Sequence, residues 1–224
     1  MKSHENGHHL TIEPMGRVNK LESATIEVAG LSHSYRGMQI FQDFSLRCDS
    51  NIVVLRGASG CGKTTLLKIL SGNLQPDKAG VLPPSDVSCL VLQEDSLFPW
   101  LTGTECIAKI TGIAPATFQN HPMYGLVASF IERKACRMSY GQRRLVELFR
   151  AIIFQPRYLY LDEPFNFLDE GNIGSVVPYF LDVTSKNTTL VLSNHHHDDN
   201  DIFKSANIFK FTAQFPTTAL ERIN

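Results

Sequence analysis

Apolar and polar residues alternate over Thr25-Ile26-Glu27-Val28 and again over Phe44-Ser45-Leu46-Arg47-Cys48, the period-two pattern of half-buried strands. Gly30 interrupts the first stretch, and Asp49-Ser50-Asn51 turns the chain after the second. From there the pattern changes. Ile52 to Leu55, Ser88 to Gln93, Tyr158 to Leu161 and Thr188 to Ser193 are short apolar runs without alternation, as strands buried on both faces require. Between them lie two helical patterns: Leu66, Leu67, Ile69 and Leu70 follow the first run, and Leu145, Leu148, Phe149 and Ile152 share one face at the 3.6 period. Buried strands alternating with helices predict an α/β fold around a parallel sheet, with an antiparallel β lobe ahead of it. Residues 102–137 read as helical, broken at Gly112, Pro115, Pro122 and Gly125, and form a helical subdomain, about 97–145, inserted between strands. Residues 1–22 are polar and aperiodic and read as a flexible tail; a strand over Asn207 to Thr212 closes the domain at 23–212, leaving 213–224 as a second tail.

Composition narrows the classes. A chain of 224 residues with 43% hydrophobic content holds a sizeable core. Its 21 basic and 22 acidic residues give a net charge of -1, so no positive field recruits nucleic acid, which is not an expected partner. Five cysteines (Cys48, Cys61, Cys89, Cys106, Cys136) without regular spacing point to a reducing, cytoplasmic setting. No apolar run approaches the roughly 18 residues of a membrane span, and the N-terminus has no hydrophobic signal region, so a membrane role has to act through a partner.

The chemistry concentrates at the ends of the buried runs. Ile52 to Leu55 breaks into Arg56-Gly57-Ala58-Ser59-Gly60-Cys61-Gly62-Lys63-Thr64-Thr65 and then a helix, matching the spacing G-x-x-x-x-G-K-[ST] of a phosphate-binding loop. Glycines let successive N–H groups approach phosphate oxygens, and the helix adds its positive end. Lys63 reaches the β- and γ-phosphates in this reading and Thr64 binds Mg²⁺. Tyr158 to Leu161 ends in Asp162-Glu163: Asp162 completes the Mg²⁺ site, and Glu163 polarises the attacking water. Gln93 closes another run at the edge where open α/β sheets bind ligands. Ser139 in Met138-Ser139-Tyr140-Gly141-Gln142 stands as a helix N-cap and offers a further anion site. Tyr35 either stacks on a nucleobase or is a half-buried strand tyrosine, and Leu97-Phe98-Pro99-Trp100-Leu101 is either core or a partner-facing patch. Of His195-His196-His197, one histidine at a strand end faces the γ-phosphate, because adjacent residues do not readily converge on one tetrahedral zinc.

In order and spacing these motifs resemble the nucleotide-binding subunit of an ATP-binding-cassette (ABC) transporter, over residues 24 to 212. The most specific resemblance is Met138 to Gln142, similar to the family's Leu-Ser-Gly-Gly-Gln signature. It implies a P-loop NTPase (RecA-like) core with an N-terminal antiparallel β lobe and an inserted α-helical subdomain. ATP and Mg²⁺ are the implied ligands. Tyr35 then resembles the adenine-stacking aromatic; Gly57, Ser59, Gly60, Cys61, Gly62, Lys63, Thr64 and Thr65 the phosphate loop; Ser139, Gly141 and Gln142 the signature that meets ATP across a dimer. Gln93 corresponds to the glutamine that senses Mg²⁺, Glu163 to the catalytic carboxylate, Leu168-Asp169 to the D-loop end and His195 to the switch histidine. Implied partners are a second copy or paired ABC subunit and a separate integral-membrane permease, with the chain peripheral on the inner face of the membrane. The run from Gln93 to Thr102 resembles importers of the nitrate, sulfonate and taurine type. Tyr140, Asn166-Phe167 and Asn194 depart from the family pattern. They keep open a regulatory nucleotide-binding module with little turnover.

Overall fold

The computed structural model describes residues 25–85, 88–194, 201–212 and 215–223. Strands β1 (Ile26–Tyr35) and β2 (Met38–Cys48) pair antiparallel, from Ile26 opposite Cys48 to Tyr35 opposite Met38. The register shifts between Val28 and Leu31, where Gly30 takes φ 63°, a left-handed value that glycine adopts without steric cost. Instead of further full strands, this lobe gains two isolated bridges, Ala29 to Val81 and Ser32 to Lys78, from the loop that follows the first helix.

The central sheet contains β3 (Ile52–Arg56), β4 (Ser88–Val91), β5 (Tyr158–Asp162), β6 (Thr189–Asn194), β7 (Asn207–Lys210) and β8 (Glu221–Arg222), in the order β4-β5-β6-β3-β7-β8. All pairings are parallel except β7 with β8. The strands agree with the buried runs of the sequence, with two differences. The ladder of β4 stops at Val91, so Gln93 lies in the following loop. The stretch after residue 212, expected as a tail, contributes β8 and places a buried Thr217 beside β2, whose Ile40 carbonyl accepts from the Thr217 N–H at 2.9 Å. Leu220 packs against the core beneath the β1-β2 lobe, a single apolar residue and a signal too brief for periodicity to register.

Alternate residues of each strand feed opposite layers. Val53, Leu55, Tyr160 and Val191 pack with the β1-β2 lobe and with α1 (Lys63–Leu70). Val54, Leu161, Leu190 and Leu192 pack on the other face with α4 (Tyr140–Phe154) and α5 (Glu170–Lys186). The inserted segment comprises α2 (Gly103–Thr111), α3 (Pro115–Phe118) and 3-10 turns over Pro122–Leu126 and Ala135–Arg137. Thr102 and Glu105 form a capping box at the start of α2, and Phe118 anchors the segment edge-on against Phe149 of α4 at 6.0 Å. A four-residue helix, α6 (Asp201–Lys204), leads into β7. Among the described residues no helix is long and apolar enough to cross a membrane.

One buried polar group stands out in the core. Tyr160 is fully buried, its hydroxyl has no hydrogen-bond partner among the described residues, and burial, helped by Tyr158, pushes its phenol pKa up. Because a buried hydroxyl without a partner costs about 1–3 kcal/mol, Tyr160→Phe is expected to stabilise the fold by about 1 kcal/mol or more in urea unfolding. A loss of stability would show that the hydroxyl is paired in solution.

Candidate functional site

β3 lies between β6 and β7 although it precedes both by more than a hundred residues, so its carboxyl end opens at a switch in strand order, where open α/β sheets form a crevice. The phosphate-loop sequence occupies that end. Gly60 at φ 77° and Gly62 at φ 105° take left-handed conformations, and a Cβ at Gly57 would lie 2.7 Å from Cys61 Sγ and 2.9 Å from Phe211 Cβ. The start of the loop is therefore packed tightly against Cys61 and Phe211. Lys63 is buried, and its Nζ donates to the Gly57 carbonyl at 2.8 Å and the Ala58 carbonyl at 3.0 Å, beside Cys61 Sγ. Ser59 and Gly60 are exposed at the tip, and Thr64 and Thr65 lie in the first turn of α1.

Two strands meet this loop through one carboxylate. Asp162, the last residue of β5, accepts from Thr64 Oγ1 at 2.6 Å and from Ser193 Oγ at 2.5 Å. Ser193, fully buried near the end of β6, also accepts from the Glu163 backbone N–H at 2.9 Å. Thr64 and Asp162 thus present a hydroxyl and a carboxylate oxygen in contact, the hard oxygen donors that suit Mg²⁺. Placing a phosphate loop beside them makes the donor set fit an Mg²⁺-nucleotide.

Glu163 leaves the strand with φ 46°, a left-handed value that costs a non-glycine residue of the order of 1–3 kcal/mol. Three neighbours hold it there: Ser193 takes its N–H, Arg144 Nη2 donates to its carbonyl at 3.1 Å, and Asn166 Nδ2 donates to Oε2 at 2.6 Å. A strained backbone fixed from three sides aims a carboxylate, and the signal for it in the sequence was Asp-Glu at a strand end. Ser193, Arg144 and Asn166 were not assigned to the site from the sequence. Arg144 carried the clearest signal, since a charge within the apolar rows of a buried helix needs a partner.

Ser139 caps α4 as expected. Its Oγ accepts from the Gln142 N–H at 3.2 Å, and Gln142 Oε1 accepts from the Ser139 N–H at 3.0 Å. Gly141 is confined by a neighbour, since a Cβ there would lie 2.9 Å from the Phe167 carbonyl oxygen. Beside it the rings of Tyr140 and Phe167, 64% and 62% exposed, lie 5.4 Å apart and tilted by 32°. Arg143 lies 4.3 Å above the Tyr140 ring and pairs with Asp95. Gln93 is exposed and lines a cavity with Asp95, Tyr140, Arg143 and Phe167, and among the described residues no hydrogen bond joins it to Thr64 or Asp162. Tyr35 is exposed at the end of β1, with the Arg36 guanidinium 5.4 Å from its ring centre. The aromatic cluster divides: Leu97 is core, Phe98 is half-buried, and Trp100 is exposed. His195 and its neighbours His196 and His197 lie outside the described residues.

The sequence profile of the family described as ABC transporter matches residues 41–166. The taurine import ATP-binding protein TauB of Pseudomonas aeruginosa PAO1 is 36% identical over 162 residues, 65% of this chain, and the chain spans 62% of that relative's length. The putrescine transport ATP-binding protein PotG of Escherichia coli K12 is 35% identical over 176 residues, 70% of this chain and 46% of PotG. A solved structure titled as the ATP binding subunit of an ABC transporter superposes with a TM-score of 0.75 at 19% identity, over 88% of this chain and 90% of that one. At that identity the likeness establishes the fold.

Ser193→Ala leaves both the Asp162 carboxylate and the Glu163 N–H short of a partner in a buried place. It is expected to destabilise the protein by about 1–3 kcal/mol in urea unfolding. An unchanged unfolding midpoint would show that the bridge between β5 and β6 contributes nothing.

Proposed function

Because this chain belongs to the ABC transporter family, we propose that it is an ATP-binding and ATP-hydrolysing subunit that powers solute movement through a separate membrane permease. The observation that carries this reading is the contact between Thr64 and Asp162, which brings the phosphate loop and the acidic strand end to one point with Glu163 next to it.

In this mechanism the N–H groups of residues 57–65 and the Lys63 ammonium bind the phosphates of ATP, and Tyr35 stacks on the adenine. Thr64, Asp162 and Gln93 are the proposed holders of Mg²⁺, which supplies charge neutralisation at the β- and γ-phosphates when bound. Glu163 orients a water and accepts its proton as the water oxygen bonds to the γ-phosphorus and the bridging P–O bond to ADP breaks. His195 is the proposed γ-phosphate contact opposite it. Ser139, Gly141 and Gln142 face the ATP of a second copy or paired subunit, so that ATP favours a closed pair and hydrolysis releases it.

The similarity to import ATP-binding proteins favours an importer, with taurine-like sulfonates or other small solutes as cargo. Trp100, exposed beside the inserted segment, suits the permease-facing side, and the proposed location of the chain is the cytoplasmic face of the membrane. A second reading, a regulatory nucleotide-binding module with little turnover, draws on Tyr140 and Phe167: two large exposed aromatic rings stand where closure brings a partner.

Mg-ATP turnover by the purified chain, alone and with its permease, tests the proposal. Glu163→Gln keeps the shape of the side chain and removes the base, so it is expected to bind ATP normally and to lose about 10²-fold or more in turnover. Hydrolysis at the wild-type rate in this variant would refute the role given to Glu163. Lys63→Ala is expected to weaken ATP binding itself by about tenfold or more, because it deletes a charge-assisted contact. Extraction of intact membranes is expected to recover a polytopic protein with the chain; recovery without one would favour the regulatory reading.

A further inference from the structure

The ladder between β4 and β5 ends where Val91 faces Leu161. Beyond that pair the two strands diverge into the loops that carry Gln93 and Glu163, and among the described residues no backbone hydrogen bond joins those loops. One side chain from α4 fills the fork. Arg144, 3% exposed, uses all three guanidinium nitrogens there. Nη1 donates to the Leu92 carbonyl at 2.7 Å, Nη2 to the Asp162 carbonyl at 3.0 Å and the Glu163 carbonyl at 3.1 Å, and Nε to the Pro164 carbonyl at 2.9 Å.

The same helix grips the Gln93 loop further along. Glu147, 2% exposed, receives Arg144 Nη1 on Oε2 at 3.3 Å and both the N–H and the Oγ–H of Ser96 on Oε1 at 2.7 Å. Arg150 Nη2 adds a bond to Ser96 Oγ at 3.0 Å, and Arg143 pairs with Asp95. Leu92, Asp95 and Ser96 are therefore tied to α4, and residues 162–164 are tied to the same guanidinium.

Stability does not account for this arrangement. Three buried ionised groups on one helix face each carry a desolvation cost of several kcal/mol, and well-packed apolar side chains commonly serve a core as well or better. Burial pulls the Arg144 pKa down, with Glu147 acting in the opposite direction. What a planar fork of donors does provide is fixed geometry between several acceptors at once, which neither an apolar side chain nor a lysine reproduces.

We propose that Arg144 is a positioning residue that makes the Gln93 loop, the Glu163 loop and α4 move as one body, so that a displacement of the Gln93 loop is transmitted to the catalytic carboxylate. The assignment of Glu163 as catalytic rests on the function proposed above; the mechanical link rests on the bonds themselves. A load on the exposed loop from Gln93 to Ser96 reaches Glu163 through Glu147 and Arg144 without passing through the nucleotide.

Two readouts on Arg144→Lys and Ser96→Ala test this. Ser96 lies on an exposed loop, so its variant folds even where loss of the Arg144 fork is too damaging. Hydrogen exchange needs no activity: in either variant the amides of residues 93–97 and 163–168 are expected to exchange together, about tenfold faster, with β3 and β6 unchanged. Exchange that rises in one loop alone, or in neither, overturns the proposal. If the chain hydrolyses ATP, Arg144→Lys is expected to lower kcat about tenfold or more with KM for ATP changed less than about threefold, since a misplaced catalytic group costs rate rather than binding. Native kcat, or parallel losses in kcat and ATP affinity, contradicts a positioning role. A wild-type chain without turnover that still shows the paired exchange effect would refute the ATPase reading and leave the link standing.

Discussion

Asp162 is the point on which the functional end of the sheet depends. A carboxylate buried at the end of β5 is costly unless its oxygens are satisfied, and here Thr64 from α1 and Ser193 from β6 satisfy both. That single group ties the phosphate loop, the acidic loop and the neighbouring strand into a fixed arrangement. Ser193 passes the constraint on by holding the Glu163 N–H, which keeps Glu163 in a left-handed conformation it would not otherwise adopt. The site is built by satisfying one buried charge, and the strain beside it is held by the same bonds.

A second tier of buried charge lies behind the first. Among the described residues Arg144 and Glu147 form no hydrogen bond with the Thr64 or Asp162 side chains, yet they hold main-chain groups of both loops that flank them. The two tiers divide the work: Asp162 fixes side-chain oxygens, and Arg144 fixes carbonyls after the ladder between β4 and β5 has ended.

Much of this was legible in the sequence because it follows from short-range rules. Apolar runs without alternation located β3, β5 and β6, the glycine spacing located the phosphate loop, and Ser139 announced the start of α4. Polar residues at strand ends found Asp162 and Glu163. The rest depends on pairs distant in the chain. Ser193 reads as the last residue of an apolar run, and only the register of β6 against β5 shows that it bridges Asp162 and Glu163. Arg144 follows the signature among other charged residues, and its carbonyl partners lie in two separate loops. Local pattern likewise missed β8, too short for periodicity, and overran the end of β4, where the polar Gln93 follows directly on an apolar stretch.

The proposed mechanism stands on two chains closing over shared nucleotide, with the Ser139 helix of one facing the phosphate loop of the other. Light scattering coupled to size-exclusion chromatography of the Glu163→Gln protein, with and without Mg-ATP, tests this most directly. The account predicts a monomer that becomes a dimer when ATP is added and returns when ATP is removed. A protein that binds ATP and keeps the monomer mass at every concentration would contradict it.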